Sequence, residues 1–173
     1  DTKAGTGKSA GMRTRKGRVN TNTNITPLFP YFRNRAELKA AVDRYLAGRT
    51  VPKRYGTIQN WNVTLVRDMN TLFFNANEFD QNIGQWNVSN VTDMNNMFAN
   101  ASLFNQNIGT WNVSNVINMS YMFNNALAFN QNIGTWNVSN VTDMKQMFAD
   151  ADAFNQDISG WNVSSVSPAT NFT

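Results

Sequence analysis

Asp93 and Asp143 hold the same place in a repeated motif, two copies apart, with Asn118 at that place between them and Asp68 one copy earlier. A pair of carboxylates is the least equipment that chemistry such as glycoside hydrolysis needs. Histidine and cysteine are both absent. That removes the usual residues of zinc sites, general acid–base catalysis and thiolate chemistry. The aspartates also stand where a helix would begin, and the helix dipole alone explains a carboxylate there. The reading is therefore non-enzymatic, with no catalytic residue, cofactor or metal expected.

The stretch AGTGKS, Ala4 to Ser9, has the look of a phosphate-binding loop. That motif requires a glycine at position 2, where Thr2 stands, and a strand ahead of it. A basic arm is the better account. Lys3, Lys8, Arg13, Arg15, Lys16 and Arg18 lie among Gly, Thr and Asn with no aromatic residue between them. Such a segment buries too little apolar area to order itself, so it is expected to lie along another protein chain of a larger assembly. The same charges would attract nucleic-acid phosphates in a salt-dependent way, but they offer no platform for base stacking. Nucleic acid is the lesser alternative. Phe29, Tyr31 and Phe32 come next, in ITPLFPYFR. Its prolines force an extended path, and the expected partner-binding arm runs to residue 33.

Charge divides the chain in the same way. Residues 1–60 hold 13 Lys and Arg against 3 acids, a net of +10, and residues 61–173 hold 2 against 8, a net of −6. A basic front and an acidic back are different materials. No apolar run approaches the roughly 18 residues that read as a membrane span, and no signal-peptide pattern is read. A chain without a membrane span is expected.

The elements that must position these residues come from a repeat. The five tryptophans, Trp61, Trp86, Trp111, Trp136 and Trp161, are each 25 residues from the next, and FNQNIGTWNVSNV occurs twice, from Phe104 and from Phe129. A fixed period of this length signals stacked units that share one core. Within one copy, Trp86, Asn87 and Val88 alternate as in a short strand. Val91, Met94, Met97, Phe98 and Ala101 fall at helical steps. Each coil thus reads as a strand plus a helix, with the tryptophans as structural core and stacked strands about 4.8 Å apart. Gln81, Gln106, Gln131 and Gln156 predict amide ladders along the stack.

The boundaries expected are an arm over 1–33, a capping helix and lead-in loop over 34–54, an array of about 4.5 repeats over 55–166, and a tail over 167–173. Asn34 and Glu37 mark the start of the helix and Gly48 its stop. It is expected to cover the open apolar end of the first coil.

Outward positions carry uncharged polar groups. Asn62, Asn87, Asn112, Asn137 and Asn162 form a candidate recognition face for protein or glycan, although no aromatic platform for a sugar stands among them. Asn-x-Ser/Thr sequons recur, as at Asn87, Asn90 and Asn112, and the repeat itself generates most of them.

The pattern W-N-V-S-N-V-T-D-M-x-x-M-F-x-x-A-x-x-F-N-Q-N-I-G resembles the BspA-like leucine-rich-repeat surface proteins, over about residues 32–166. The resemblance implies an α/β fold, a right-handed leucine-rich-repeat-like solenoid of short parallel strands and helices. It also implies surface display, adhesion or another protein interaction, and no catalytic residues. It does not extend to the arm. The expected function is a repeat scaffold for protein–protein contact, acting as a structural subunit of a large assembly such as a virus particle. The alternative is a secreted or displayed adhesin. Virion or cell surface is the expected location.

Overall fold

The computed structural model describes residues 31–167. Lys3, Lys8, Arg13, Arg15, Lys16, Arg18 and Phe29 of the arm, and residues 168–173 of the tail, lie outside the described residues.

Helix α1 spans Arg35–Leu46 and is the only α-helix among the described residues. Asn34 sits in extended geometry and its Oδ1 accepts the Glu37 N–H at 3.0 Å. Glu37 does not return a bond to Asn34; its Oε2 accepts the Arg33 N–H instead, at 3.0 Å. The helix stops at Gly48, whose φ of 63° is left-handed. The Gly48 N–H reaches the Tyr45 carbonyl and the Arg49 N–H reaches Arg44, the bond pair of a Schellman stop. Leu38, Ala41 and Val42 are buried. Phe32 stacks on Tyr55 at 4.2 Å and lies 5.1 Å from Trp61, while Tyr45 meets the edge of Trp61. The helix and its flanks therefore close the N-terminal end of the repeat array.

The array is a column of 25-residue coils, but not of strands and helices. Among the described residues there is no strand and no sheet. Parallel contact is limited to isolated bridges at Tyr31–Asn62, Asp68–Asp93, Asp93–Asn118 and Asn118–Asp143. The expected right-handed solenoid of short parallel strands and helices is thus overturned, and the reason is legible bond by bond.

In the segment expected to be helical, Met97 N–H bonds to Met94 O and Ala101 N–H to Phe98 O, both three residues back. Asn96 and Asn100 have φ of 53° and 60°. These are two successive turns with a left-handed third residue, as in a type II turn. The N–H groups of Met94, Asn96, Phe98 and Asn100 leave their own coil and bond to Asn118, Ser120, Met122 and Asn124 of the next at 2.8–2.9 Å. Left-handed residues recur at Thr71, Asn75, Tyr121, Asn125, Gln146 and Asp150. An α-helix cannot pass through a left-handed residue every fourth position. Two three-step turns still leave Met94, Met97, Phe98 and Ala101 facing inward, which imitates helical spacing.

The expected strand fails differently. Trp86 and Val88 are buried and Asn87 is exposed, so the alternation is present. However, turns close on both sides, Trp86 N–H to Ile83 O and Val91 N–H to Val88 O. No backbone rung joins neighbouring Trp-Asn-Val segments among the described residues; side chains tie them. Trp86, Trp111, Trp136 and Trp161 donate Nε1–H to Ile58, Ile83, Ile108 and Ile133 carbonyls one coil back, at 2.8–3.3 Å.

The core is a set of columns. All five tryptophans are buried. Phe73, Phe98, Phe123 and Phe148 stack at 5.5–5.7 Å, and Phe79, Phe104, Phe129 and Phe154 at 5.9–6.1 Å. Burial is thus shared between coils. Amide ladders run outside. Gln106, Gln131 and Gln156 donate to the carbonyls of Asp80, Asn105 and Asn130 at 2.9–3.2 Å. At Gly84, Gly109 and Gly134 an added Cβ would lie 2.4 Å from a carbonyl oxygen of the next coil.

Candidate recognition surfaces

The carboxylates with the spacing of a catalytic pair are engaged in turn closure. Asp68, Asp93 and Asp143 each accept, through Oδ1, the N–H two residues on at 2.8 Å, and Asn118 does the same at 2.9 Å. These Asx turns hold the corner where coils bridge. Among the described residues no group of three His, Cys, Asp or Glu could hold a metal ion.

The row Asn62, Asn87, Asn112, Asn137 and Asn162 is likewise local. Each Oδ1 accepts the N–H of the Thr or Ser two residues later, at 3.1–3.2 Å. Their Oδ1 atoms are thus already engaged in the turn, and their Nδ2 groups are the donors left for a ligand. A third Asx corner is made by Asn82, Asn107, Asn132 and Asp157. Bonding with Ser159 holds the Asp157 carboxyl below the usual carboxylate range.

Tyr31 is exposed and pairs with Asn62 across an isolated bridge. Phe32 is fully buried in the core, so its ring serves the end of the column and not a partner. Behind it, Tyr55 donates its hydroxyl to Glu37 Oε1 at 2.6 Å, and Arg54 sits over the Tyr55 ring. The Tyr55 bond, helped by the Arg33 N–H, holds the Glu37 carboxyl below its ordinary value. Burial, then the same bond, raises the Tyr55 phenol. This group fastens α1 to the lead-in loop.

Two grooves among the described residues bear on recognition. The first is a shallow polar groove of about 530 Å³ lined by Arg67, Asn90, Thr92, Asn115, Ile117, Asn140 and Thr142. Asn90, Asn115 and Asn140 each anchor Nδ2 on a carbonyl of the preceding coil at 2.7–2.8 Å. Ile117, 50% exposed, lies in that groove. The second is an apolar corner. Leu46 and Phe74 line a groove of about 470 Å³ between α1 and the first coil. Leu103, 56% exposed, and Leu127, 42% exposed, continue along the corresponding edge of the next two coils. Backbone bonds set that register: Leu103 N–H to Asn77 O, Ala128 N–H to Ser102 O and Ala153 N–H to Leu127 O.

Sequence reading missed this corner, although a signal was there. Phe74 stands where other coils have Ala99, Asn124 and Ala149; Leu127 stands where they have Asn77, Ser102 and Asp152. Departures from the repeat, not the repeat, mark the surface.

No curated protein and no solved structure matches the chain. A family model described as "Mycoplasma protein of unknown function, DUF285" matches residues 41–135 and 110–172. Those overlapping matches take in most of the chain and the whole of the Trp-bearing column, and the chain belongs to the DUF285 family.

Proposed function

We propose that this chain is a non-enzymatic repeat scaffold that binds another protein through the apolar corner of Leu46, Phe74, Leu103 and Leu127. One observation carries the reading. Outward residues that recur from coil to coil, such as Asn87 and Asn90, are engaged in turns and inter-coil bonds. By contrast, the large apolar residues that interrupt the repeat point into solvent on adjoining coils. Single exposed leucines need no explanation, but a run of them beside a groove marks an interaction surface. The turn-closing aspartates support a binding role over a catalytic one. The repeat pattern supports a BspA-like surface-protein relationship, and with it a role as a subunit or displayed module of a larger assembly.

The test places a photo-crosslinking residue at Leu103, at Leu127 or, as control, at the exposed Thr110, in the full chain within its own cells. Adducts with one protein are expected from the first two positions and not the third. The double variant L103R/L127R, tested by crosslinking from Phe74, should abolish the adduct while leaving thermal unfolding unchanged. Equal labelling from all three positions, or none, would sink the proposal.

A further inference from the structure

Along one side, each later coil offers the same donors to the coil before it. Leu103 N–H bonds to the Asn77 carbonyl, Asn105 N–H to Asp80 Oδ1, and Gln106 Nε2 to the Asp80 carbonyl. Asn130 with Gln131, and Asn155 with Gln156, repeat the last two bonds one and two coils on. The first coil has the same three groups at Glu78, Asp80 and Gln81. Their register-matched positions, residues 52–55, lie in the lead-in loop and are described. Yet none of the three donors has an acceptor among the described residues, and all three residues are exposed. On its other sides the cap does stand in for a preceding coil. Phe32 N–H reaches the Asn62 carbonyl, Arg35 holds the Asn70 carbonyl at 2.6 Å, and the Gly56 carbonyl accepts the Trp61 indole N–H. Only the side at Glu78 to Gln81 is left unmatched by the cap.

A trough runs along that side. The groove of about 470 Å³ that holds Leu46, Phe74 and Glu78 adjoins another of about 410 Å³ that holds Arg49, Val51 and Gln59, and Tyr45 and Gln81 line both. We propose that the trough binds an extended segment of another polypeptide, one that carries aspartate or asparagine three residues after the carbonyl that meets Glu78. The proposal rests on the reading of the apolar corner and deepens it: Leu46 and Phe74 seat an apolar side chain of the segment, and the donors set its register. The column shows the form that fits. Asn77 and Asp80 present it to the second coil, a backbone carbonyl and, three residues on, a side-chain oxygen with its own carbonyl. Main-chain bonds give affinity and the side-chain seats give selectivity, as when a peptide adds to a sheet edge. Past Gln81 the trough reaches Arg49, whose guanidinium has no partner among the described residues. The segment should therefore turn acidic after its aspartate or asparagine. The chain's own residues 1–30 suit that end poorly, with six Lys and Arg against one Asp.

The probe is a synthetic peptide of residues 74–81, the stretch that makes these bonds to the second coil, added to the isotope-labelled full chain and followed by NMR. Saturable shifts centred on the Glu78 and Asp80 amides and the Gln81 carboxamide are expected. The peptide carrying Asp80→Ala should bind about tenfold more weakly, having lost a charged acceptor. Gln81→Ala in the chain should weaken binding about 2–10-fold and leave the thermal unfolding of the free chain unchanged, because Gln81 has no partner there to lose. No saturable shift, or equal binding of the two peptides, overturns the inference. So does binding that appears only when residues 1–30 are removed, because the trough would then be closed from within. Crosslinks from Leu103 and Leu127 without peptide binding would keep the apolar corner and sink the trough; peptide binding without those crosslinks would do the reverse.

Discussion

Replacing Gly109 by alanine tests the coil junction most directly. Gly109 has no left-handed φ to protect. At such a site alanine ordinarily stabilises, by about 0.4–1 kcal/mol, because it restricts the unfolded chain. Here the new Cβ would lie 2.4 Å from the Asn132 carbonyl oxygen, against the 3.4 Å at which ordinary contact begins. The two coils would have to part by about 1 Å there, in a stack whose packing is crystal-like. Overpacking of this kind costs about 1–3 kcal/mol. Less the entropic gain, the net loss is roughly 1–2 kcal/mol, or about 2–8 °C in Tm for a chain of this size. The control is Gly160→Ala, one residue before Trp161, where nothing lies within 4 Å of the added carbon. It should raise stability by a few tenths to about 1 kcal/mol. Urea unfolding followed by tryptophan fluorescence reads both variants, with the m-value as a check on cooperativity. The same substitution must change sign between the two sites. If Gly109→Ala is neutral or stabilising, the coils do not approach each other as closely as 2.4 Å at this corner requires.

Phe98 has a stacked ring on both neighbouring coils, so Phe98→Ala should cost about 3–5 kcal/mol. Phe154→Ala, at the half-covered end, should cost clearly less in the same urea titration. Asn115→Ala removes the bond from Nδ2 to the Ser89 carbonyl at 2.8 Å and should lower stability by about 0.5–1.5 kcal/mol. Acid should weaken the α1 attachment. The Glu37 carboxyl is held below its ordinary value by the Tyr55 hydroxyl, so its contribution is full above that ordinary value and is lost as pH falls through the lower folded pKa. Thermal melts of the wild type and Glu37→Gln should therefore converge in acid and differ near neutrality. A constant gap would count against the Tyr55–Glu37 bond as its source.

Much of this protein was determined by its sequence alone. The 25-residue period of Trp61 to Trp161 required coils that share burial, because one coil cannot enclose its own indole and phenylalanines. Asn34 and Gly48 bounded α1, since capping is local chemistry between neighbours in the chain. The first coil even records its position: Leu65 stands where Asn90, Asn115 and Asn140 bond to a preceding coil.

Tertiary structure alone decided the backbone. Met94, Met97, Phe98 and Ala101 face one core, and a helix or a pair of turns satisfies that spacing equally well. The choice lies in where each N–H finds an acceptor. With another coil within 2.9 Å, alternate N–H groups bond outward, and asparagine at the third turn position makes the left-handed step inexpensive. Asp93 pins its own corner through Oδ1 to the Asn95 N–H, and the neighbouring coil adds a backbone bridge from Asp93 to Asn118. It also leaves Leu103 and Leu127 aligned on one edge, an arrangement set by coils 25 residues apart and not by any local pattern.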